Sequence, residues 1–540
     1  MQSSQRAETW SSRLGVILAV AGSAVGLGNF LRFPGLAAQY GSGAFMIAYF
    51  ISLILLGIPI CWAEWTLGRY AGQHGYRSSP GIFHVLIRHP VGKYLGAIGV
   101  LIPVVIYMYY VHIESWCLGY MWYFLTGKLD LGGDVAAYGD FWARFVGATK
   151  DGLAMGGGEN QVLIFLAIVF AVNFFIIYRG VSKGIEFFCR YAMPALIILA
   201  IIILVRVLTL GTPDPAKPEQ SLLNGLGFMW NPGDIMTQLK KPQLWLAAAG
   251  QIFFSLSVGF GVIITYASYL KKKDDVVLSG LSASSANEFC EVALGGMITV
   301  PAAFVFLGVA GVVGQGTFAL GFKVLPLVLA KMPWPAFFGS AFFFLLFLAA
   351  ITSSLSMLQP GIAFLEEALG IDRKKSVSLL AVVTGIGCAF VVYYSKDLKA
   401  LDTLDFWVGT FLLFIMAAII LIVFGWGMGI EKGWLEAHQG AEIRIPSIFK
   451  FIIKYVSPLY LLAIFAMWVL KDVFGWNPDT GQFKPTGYVL DLIGSAETPA
   501  SPVARSSVLV ILIAFGLTLC AVWRAGKRWP PPTSGKEDLP

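Results

Sequence analysis

The chain has 540 residues, of which 57% are apolar and only 13% charged, and its mean hydropathy is +0.74. A soluble protein of this size, spread over three or four domains, would need roughly twice that charged fraction to cover its surface. This excludes a water-soluble enzyme. The formal charge of +7 is too small and too localised for a nucleic-acid surface, so the chain reads as a polytopic membrane protein with no nucleic-acid partner.

Residues 1–13 are polar and run into the first apolar stretch without a small-residue cleavage site. They predict a short cytoplasmic N-terminus before a retained helix, not a signal peptide. Crossing the hydrocarbon core takes about 20 apolar residues. With that ruler about twelve stretches follow, near 14–39, 44–68, 94–125, 161–178, 187–209, 242–270, 276–310, 337–368, 377–395, 404–427, 450–471 and 506–524. They are continuous, not ten-residue alternating strands, so an all-α bundle is expected. The Lys and Arg residues crowd alternate connections, among them Arg69, Arg77, Arg88 and Lys93, then Lys271–Lys273, then Arg373–Lys375. This bias predicts both termini, including the tail 525–540, on the cytoplasmic side of a plasma membrane, a prokaryotic inner membrane by expectation. The six cysteines lie in or beside apolar stretches, and neither they nor the five histidines show metal-ligand spacing.

Two stretches are flawed at mid-membrane. The first carries Gly22, Gly26, Gly28 and Asn29; the sixth carries Ser255, Ser257, Gly259 and Gly261. Glycine inside a helix costs about 1 kcal/mol relative to alanine, and lipid punishes exposed backbone. Either cluster alone would read as close helix packing through small residues. Together they occupy matching places if residues 14–209 (helices one to five) and 242–427 (helices six to ten) are inverted repeats, with 450–524 holding the last two helices. Interrupted helices so placed predict a transporter's binding site. Freed amides attract a carboxylate there and freed carbonyls a cation.

Trp10, the run Gly26–Pro34, Tyr109-Tyr110, Glu114-Ser115-Trp116, Gly259-Phe260-Gly261, Asn287-Glu288, Thr352-Ser353-Ser354 and Asp405-Phe406-Trp407 carry a resemblance. The chain resembles the neurotransmitter:sodium symporter family from Trp10 through the twelfth helix. That resemblance implies two sodium ions. The first is held by Ala24, Asn29, Ser255, Asn287 and the substrate's carboxylate, with Ser255 standing where relatives carry Thr. The second is held by Gly22, Val25, Ala349, Thr352 and Ser353. Neutral carbonyls and hydroxyls suit a hard cation. Taken alone, Thr352-Ser353-Ser354 would read as helix–helix hydrogen bonding.

The resemblance also places the substrate's carboxylate at Gly28 and Tyr110 and its ammonium at Ala24, Phe254, Ser255 and Ser257. Relatives that carry amines without a carboxylate have Asp at position 26; here it is Gly26. Ile106, Tyr110, Phe254, Phe260, Ser353 and Met357 would line an apolar side-chain pocket, so a neutral amino acid is expected. Arg32 and Asp405 would form the outer gate beneath which Tyr110 and Phe260 make a lid. Arg6, Trp10, Tyr269 and Glu367 would form the inner gate, although Ala7 fills the family's usual arginine position. Glu291 would replace chloride, so no chloride requirement is expected, with proton counter-movement through Glu291 left open. Glu64, Glu114, Glu288 and Glu291 are expected at membrane depth, where carboxylates are costly and usually functional, although Glu64 and Glu114 could simply share a proton as a structural pair. A homodimer is allowed. A non-transporting amino-acid sensor on the same fold is the alternative, and a membrane enzyme lacks any visible catalytic cluster.

Overall fold

The computed structural model describes residues 8–87, 89–156, 161–231, 233–477, 481–484, 487–495 and 497–530. Apart from one two-residue strand pair (Trp476↔Phe483, Asn477↔Gln482), its regular elements are helical. Among the described residues nine helices are long and apolar enough to cross a membrane: Gly43–Gln73 (α2), Gly92–Leu125 (α3), Val181–Leu208 (α5), Val276–Leu307 (α7), Pro335–Leu369 (α8), Arg373–Tyr393 (α9), Lys396–Gly427 (α10), Ile448–Val473 (α11) and Pro502–Gly526 (α12). A tenth, α1, is split into Arg13–Ala24 and Gly28–Gln39. Val162–Tyr178 (α4) has 17 residues, and α6 comes in two pieces, Pro242–Leu256 and Val262–Ala267. Among the described residues these twelve coincide with the twelve expected stretches.

The two longest apolar helices lie at the centre. In α8, 89% of the apolar window is buried, against 17% in α12. The α12 residues Leu509, Leu512, Ile513 and Leu517 are exposed, a surface that only lipid can cover. Central packing uses rings and glycines. Tyr120 meets Phe322 and Phe343 at 5.3 and 4.9 Å between ring centres, joining α3, α8 and the segment before α8. Gly68 and Gly72 on α2 lie so close to the carbonyls of Ile264 and Ser268 that any Cβ would strike backbone. For these glycines the packing interpretation holds.

Candidate functional site

The break in α1 begins where Val25 leaves helical geometry (φ −74°, ψ 97°), and the two pieces meet at 47°. Turning the chain there frees backbone groups that lipid could not satisfy. The Asn29 side chain takes one of them, accepting from the Gly26 N–H at 2.8 Å. The break in α6 depends on left-handed backbone at Ser257 (φ 54°), Gly259 and Gly261 (both φ 80°). At Gly261 glycine is required twice over, because a Cβ would also collide with the Gly99 backbone. The Ser257 hydroxyl donates to the Ser23 carbonyl at 2.9 Å, tying one break to the other. Fully buried Glu64 on α2 accepts from the Gly259 N–H at 3.1 Å.

Where the breaks meet α7, oxygens gather. One end of the Asn287 amide lies 2.8 Å from the Asn29 amide nitrogen, 3.1 Å from the Ala24 carbonyl and 3.2 Å from the Ser255 carbonyl. Turned one way, the amide donates to both carbonyls. Turned the other way, it adds an oxygen to two carbonyls that lack a donor, a set suited to a hard cation. The Ser255 hydroxyl and the Gln251 amide both donate to Glu291, which is fully buried one turn along from Asn287. Tyr49 donates instead to Glu288, at 2.8 Å.

A second cluster joins α1 to α8. The Ser353 hydroxyl lies 3.4 Å from the Gly22 carbonyl and 3.1 Å from that of Ala349. The Thr352 hydroxyl is 3.1 Å from the same Ala349 oxygen. At Val25 the extended backbone frees the carbonyl from the helical ladder. Both oxygen clusters are buried and made of neutral groups, with Glu291 behind the first.

Of the residues expected to line the side-chain pocket, Ile106, Tyr110, Phe260 and Met357 are buried and Phe254 is half-buried. A Cβ at Gly26 would stand 3.0 Å from the Ser353 hydroxyl and 3.2 Å from the Tyr110 hydroxyl, while Gly28 has ordinary space. The Tyr110 oxygen also sits 3.5 Å from the Leu27 N–H. In place of a Tyr110–Phe260 lid, Phe260 packs edge-on to Phe254 at 5.7 Å, and the Arg32 guanidinium lies 4.4 Å over the Phe254 ring.

The expected outer ion pair is not made. Arg32 reaches the Gly250 carbonyl at 3.5 Å, and Asp405 accepts from the Tyr109 hydroxyl at 2.6 Å. The phenol, one residue from Tyr110, holds one oxygen of this carboxylate. Of the expected inner gate, Arg6 lies outside the described residues. Trp10 donates to the Tyr266 carbonyl at 3.0 Å, and the Tyr269 hydroxyl accepts from Gln359 at 2.8 Å. Glu367 is engaged elsewhere: it accepts from the N–H groups of Arg77 and Ser78 and from the Ser78 hydroxyl, at 2.8–3.0 Å, and so holds the start of the helix Ser79–Leu86. Nor do Glu64 and Glu114 bond to one another. Glu114 accepts from Asn173 at 3.0 Å and Ser354 at 2.6 Å, whereas Glu64 caps α6. Sequence reading missed the Glu64 and Tyr109 contacts because neither partner is adjacent in the chain.

Comparison with known proteins agrees with this geometry. The profile of the sodium:neurotransmitter symporter family matches residues 7–133 and 133–475. An uncharacterised sodium-dependent transporter of Methanocaldococcus jannaschii is 30% identical over 85% of this chain and 89% of its own. The sodium- and chloride-dependent GABA transporter 2 of Bos taurus is 24% identical over 86% of this chain and 80% of its own. The crystal structure of MhsT in complex with L-phenylalanine matches with a TM-score of 0.72 at 30% identity, over 85% of this chain and 99% of that one. Two broken helices, the oxygen clusters between them and these likenesses lead to one conclusion: the chain belongs to the sodium:neurotransmitter symporter family and is a sodium-dependent membrane transporter, not an enzyme.

Proposed function

We propose that the protein imports a neutral, apolar L-amino acid together with two sodium ions, by alternating access and without requiring chloride. The observation that carries the substrate class is Gly26. A Cβ there would stand 3.0 Å from the Ser353 hydroxyl and 3.2 Å from the Tyr110 hydroxyl, and glycine brings no carboxylate of the protein's own to this point. The substrate therefore brings its own carboxylate to the Gly28 amide and Tyr110. Its ammonium meets the Ala24, Phe254 and Ser255 carbonyls and the Ser257 hydroxyl. The pocket offers no counter-charge to a charged side chain, and the phenylalanine bound by MhsT is of the apolar class it suits.

In this reading the first sodium takes Ala24, Asn29, Ser255 and Asn287, and the second takes Gly22, Val25, Ala349, Thr352 and Ser353. Glu291, bonded to Gln251 and Ser255, supplies the negative charge that chloride supplies in chloride-dependent relatives. Both termini face the cytoplasm, residues 14–209 and 242–427 are the two repeats, and one group of helices rocks around the fixed midplane site. Two positive charges crossing a ~100 mV potential provide roughly 4.6 kcal/mol, or about three decades of accumulation, before any sodium gradient is added.

The test is uptake by the purified protein in proteoliposomes under an inward sodium gradient, over a panel of amino acids and amines. Neutral apolar amino acids should accumulate and amines should not, with gluconate replacing chloride at no loss. Accumulation of an amine, or collapse in gluconate, refutes the substrate or anion assignment. Sodium-dependent binding with no uptake would make the protein a sensor.

A further inference from the structure

The connection between α11 and α12 lies against the end of α10 that bears Asp405. Its short helix, Gly487–Ile493, carries Tyr488 and Asp491 one turn apart. The Tyr488 ring stacks on Phe406, the residue after Asp405, with ring centres 3.9 Å apart and planes 21° from parallel. Trp468 of α11 holds the same buried Phe406 at 5.1 Å. Asp491 pairs with Lys399 near the start of α10. The short helix is itself fixed to α12: the Ser501 N–H donates to the Asp491 carbonyl at 2.7 Å, and the Arg505 guanidinium donates to that of Leu492 at 2.8 Å.

Lys399 follows a strained corner. Asp397 (φ 51°) and Leu398 (φ 55°) are adjacent left-handed residues, and neither is glycine. Such backbone persists only where its surroundings impose it. Here the α3–α4 connection does so: the Asp397 N–H donates to the Ala148 carbonyl and the Ser395 hydroxyl to that of Gly147, both at 2.9 Å, and the Lys396 N–H donates to Asp151 at 3.0 Å. The corner is thus anchored to one connection, and the α10 turns beyond it to another, through Tyr488 and Asp491. The left-handed pair between the two anchors is a pivot. The Lys399 and Asp491 side chains remain 33% and 25% exposed, and an ion pair open to water is weak enough to release. We propose that Tyr488 and Asp491 are positioning residues for the outer closure: the α11–α12 connection is a strap that holds Asp405 against Tyr109, and α10 turns outward about Asp397–Leu398 when the strap lets go. The inference rests on the transporter reading for the purpose of the closure, whereas the strap itself rests on these contacts.

Ile113, one turn beyond Tyr109 on α3 and buried, supplies the readout. Labelling of Ile113→Cys by a water-soluble maleimide, in detergent-purified full-length protein carrying Cys117→Ser and Cys520→Ser, reports whether α10 has turned away. The remaining cysteines are buried. Tyr488→Ala and Asp491→Ala should each speed labelling about threefold and raise the KM for sodium-driven uptake by a similar factor, with kcat nearly unchanged. Lys399→Ala should match Asp491→Ala, and the double variant should add nothing further. Tyr488→Phe, which keeps the stacked ring, Asp491→Glu, which keeps the charge, and Lys484→Ala, an exposed site in the same connection, should all label at the parental rate. Tyr488→Leu and Asp491→Asn take the place of an alanine variant that does not fold. Parental labelling in both single alanine variants, equal speeding by Tyr488→Phe or Lys484→Ala, or additive effects of Lys399→Ala and Asp491→Ala would overturn the proposal. Labelling needs no substrate, and uptake by the Ile113→Cys parent is measured separately, so failure of the transporter reading and failure of the strap are told apart.

Discussion

The two ends of the bundle are held by different chemistry. At the end bearing the N-terminus, buried charges meet charges: Arg373 with Glu8, and Arg69 with Glu436 at 3.1 Å. Arg69 is fully buried and also donates to the Asp274 and Gln439 carbonyls at 2.6 and 2.8 Å, binding the α6–α7 and α10–α11 connections together. At the opposite end the corresponding charges make no direct ion pair: Arg32 lies over a phenyl face and Asp405 accepts from a phenol. Buried ion pairs are costly to break, whereas a cation on a ring is worth about 0.5–2 kcal/mol. One end is therefore held by ion pairs and the other is only lightly tied.

Stability measurements test that contrast most strongly. Arg69→Ala should lower the unfolding free energy by about 3–5 kcal/mol, since it strands Glu436 and three carbonyls. Arg32→Ala should cost about 1 kcal/mol. Equal shifts in thermal unfolding of the detergent-purified variants would end the comparison. Gly261→Ala should rank next, at about 2 kcal/mol or more, because it forces a left-handed side chain into the Gly99 backbone. Gly26→Ala should leave stability almost unchanged and weaken substrate binding about tenfold instead, through the two hydroxyls it crowds. If Thr352 holds the proposed second sodium, Thr352→Val should raise the sodium concentration for half-maximal uptake by roughly fivefold, through the loss of one hydroxyl of modest strength. The smallest effect is expected from Tyr109→Phe. It frees Asp405 to approach Arg32 and should tighten apparent substrate affinity by up to about fivefold. Weaker affinity would show that the phenol supports closure.

The twelve spans were legible because hydrocarbon thickness imposes a length that hydropathy reports directly. α6 was legible as one apolar stretch, 242–270, although neither of its pieces alone reaches the span length. The oxygen clusters followed from small and hydroxylic residues at mid-membrane, and the resemblance told which of them belong together. What stayed hidden were contacts between distant segments. Glu64 and Gly259 are 195 positions apart, and Glu8 and Arg373 are 365 apart. Arg32 and Asp405 were correctly placed at one end, yet the competing phenol that separates them is invisible in sequence because hydrogen-bond competition depends on rotamers, not on spacing.

The anchoring of the two kinks has a consequence for motion. Asn29 satisfies the Gly26 amide from within the same helix, whereas the Gly259 amide leans on a carboxylate from α2. Each kink thus carries its own support, and the Ser257 hydroxyl hinges one to the other through the Ser23 carbonyl. The two breaks would move as one hinged unit, and this bond is the one that prising them apart must break.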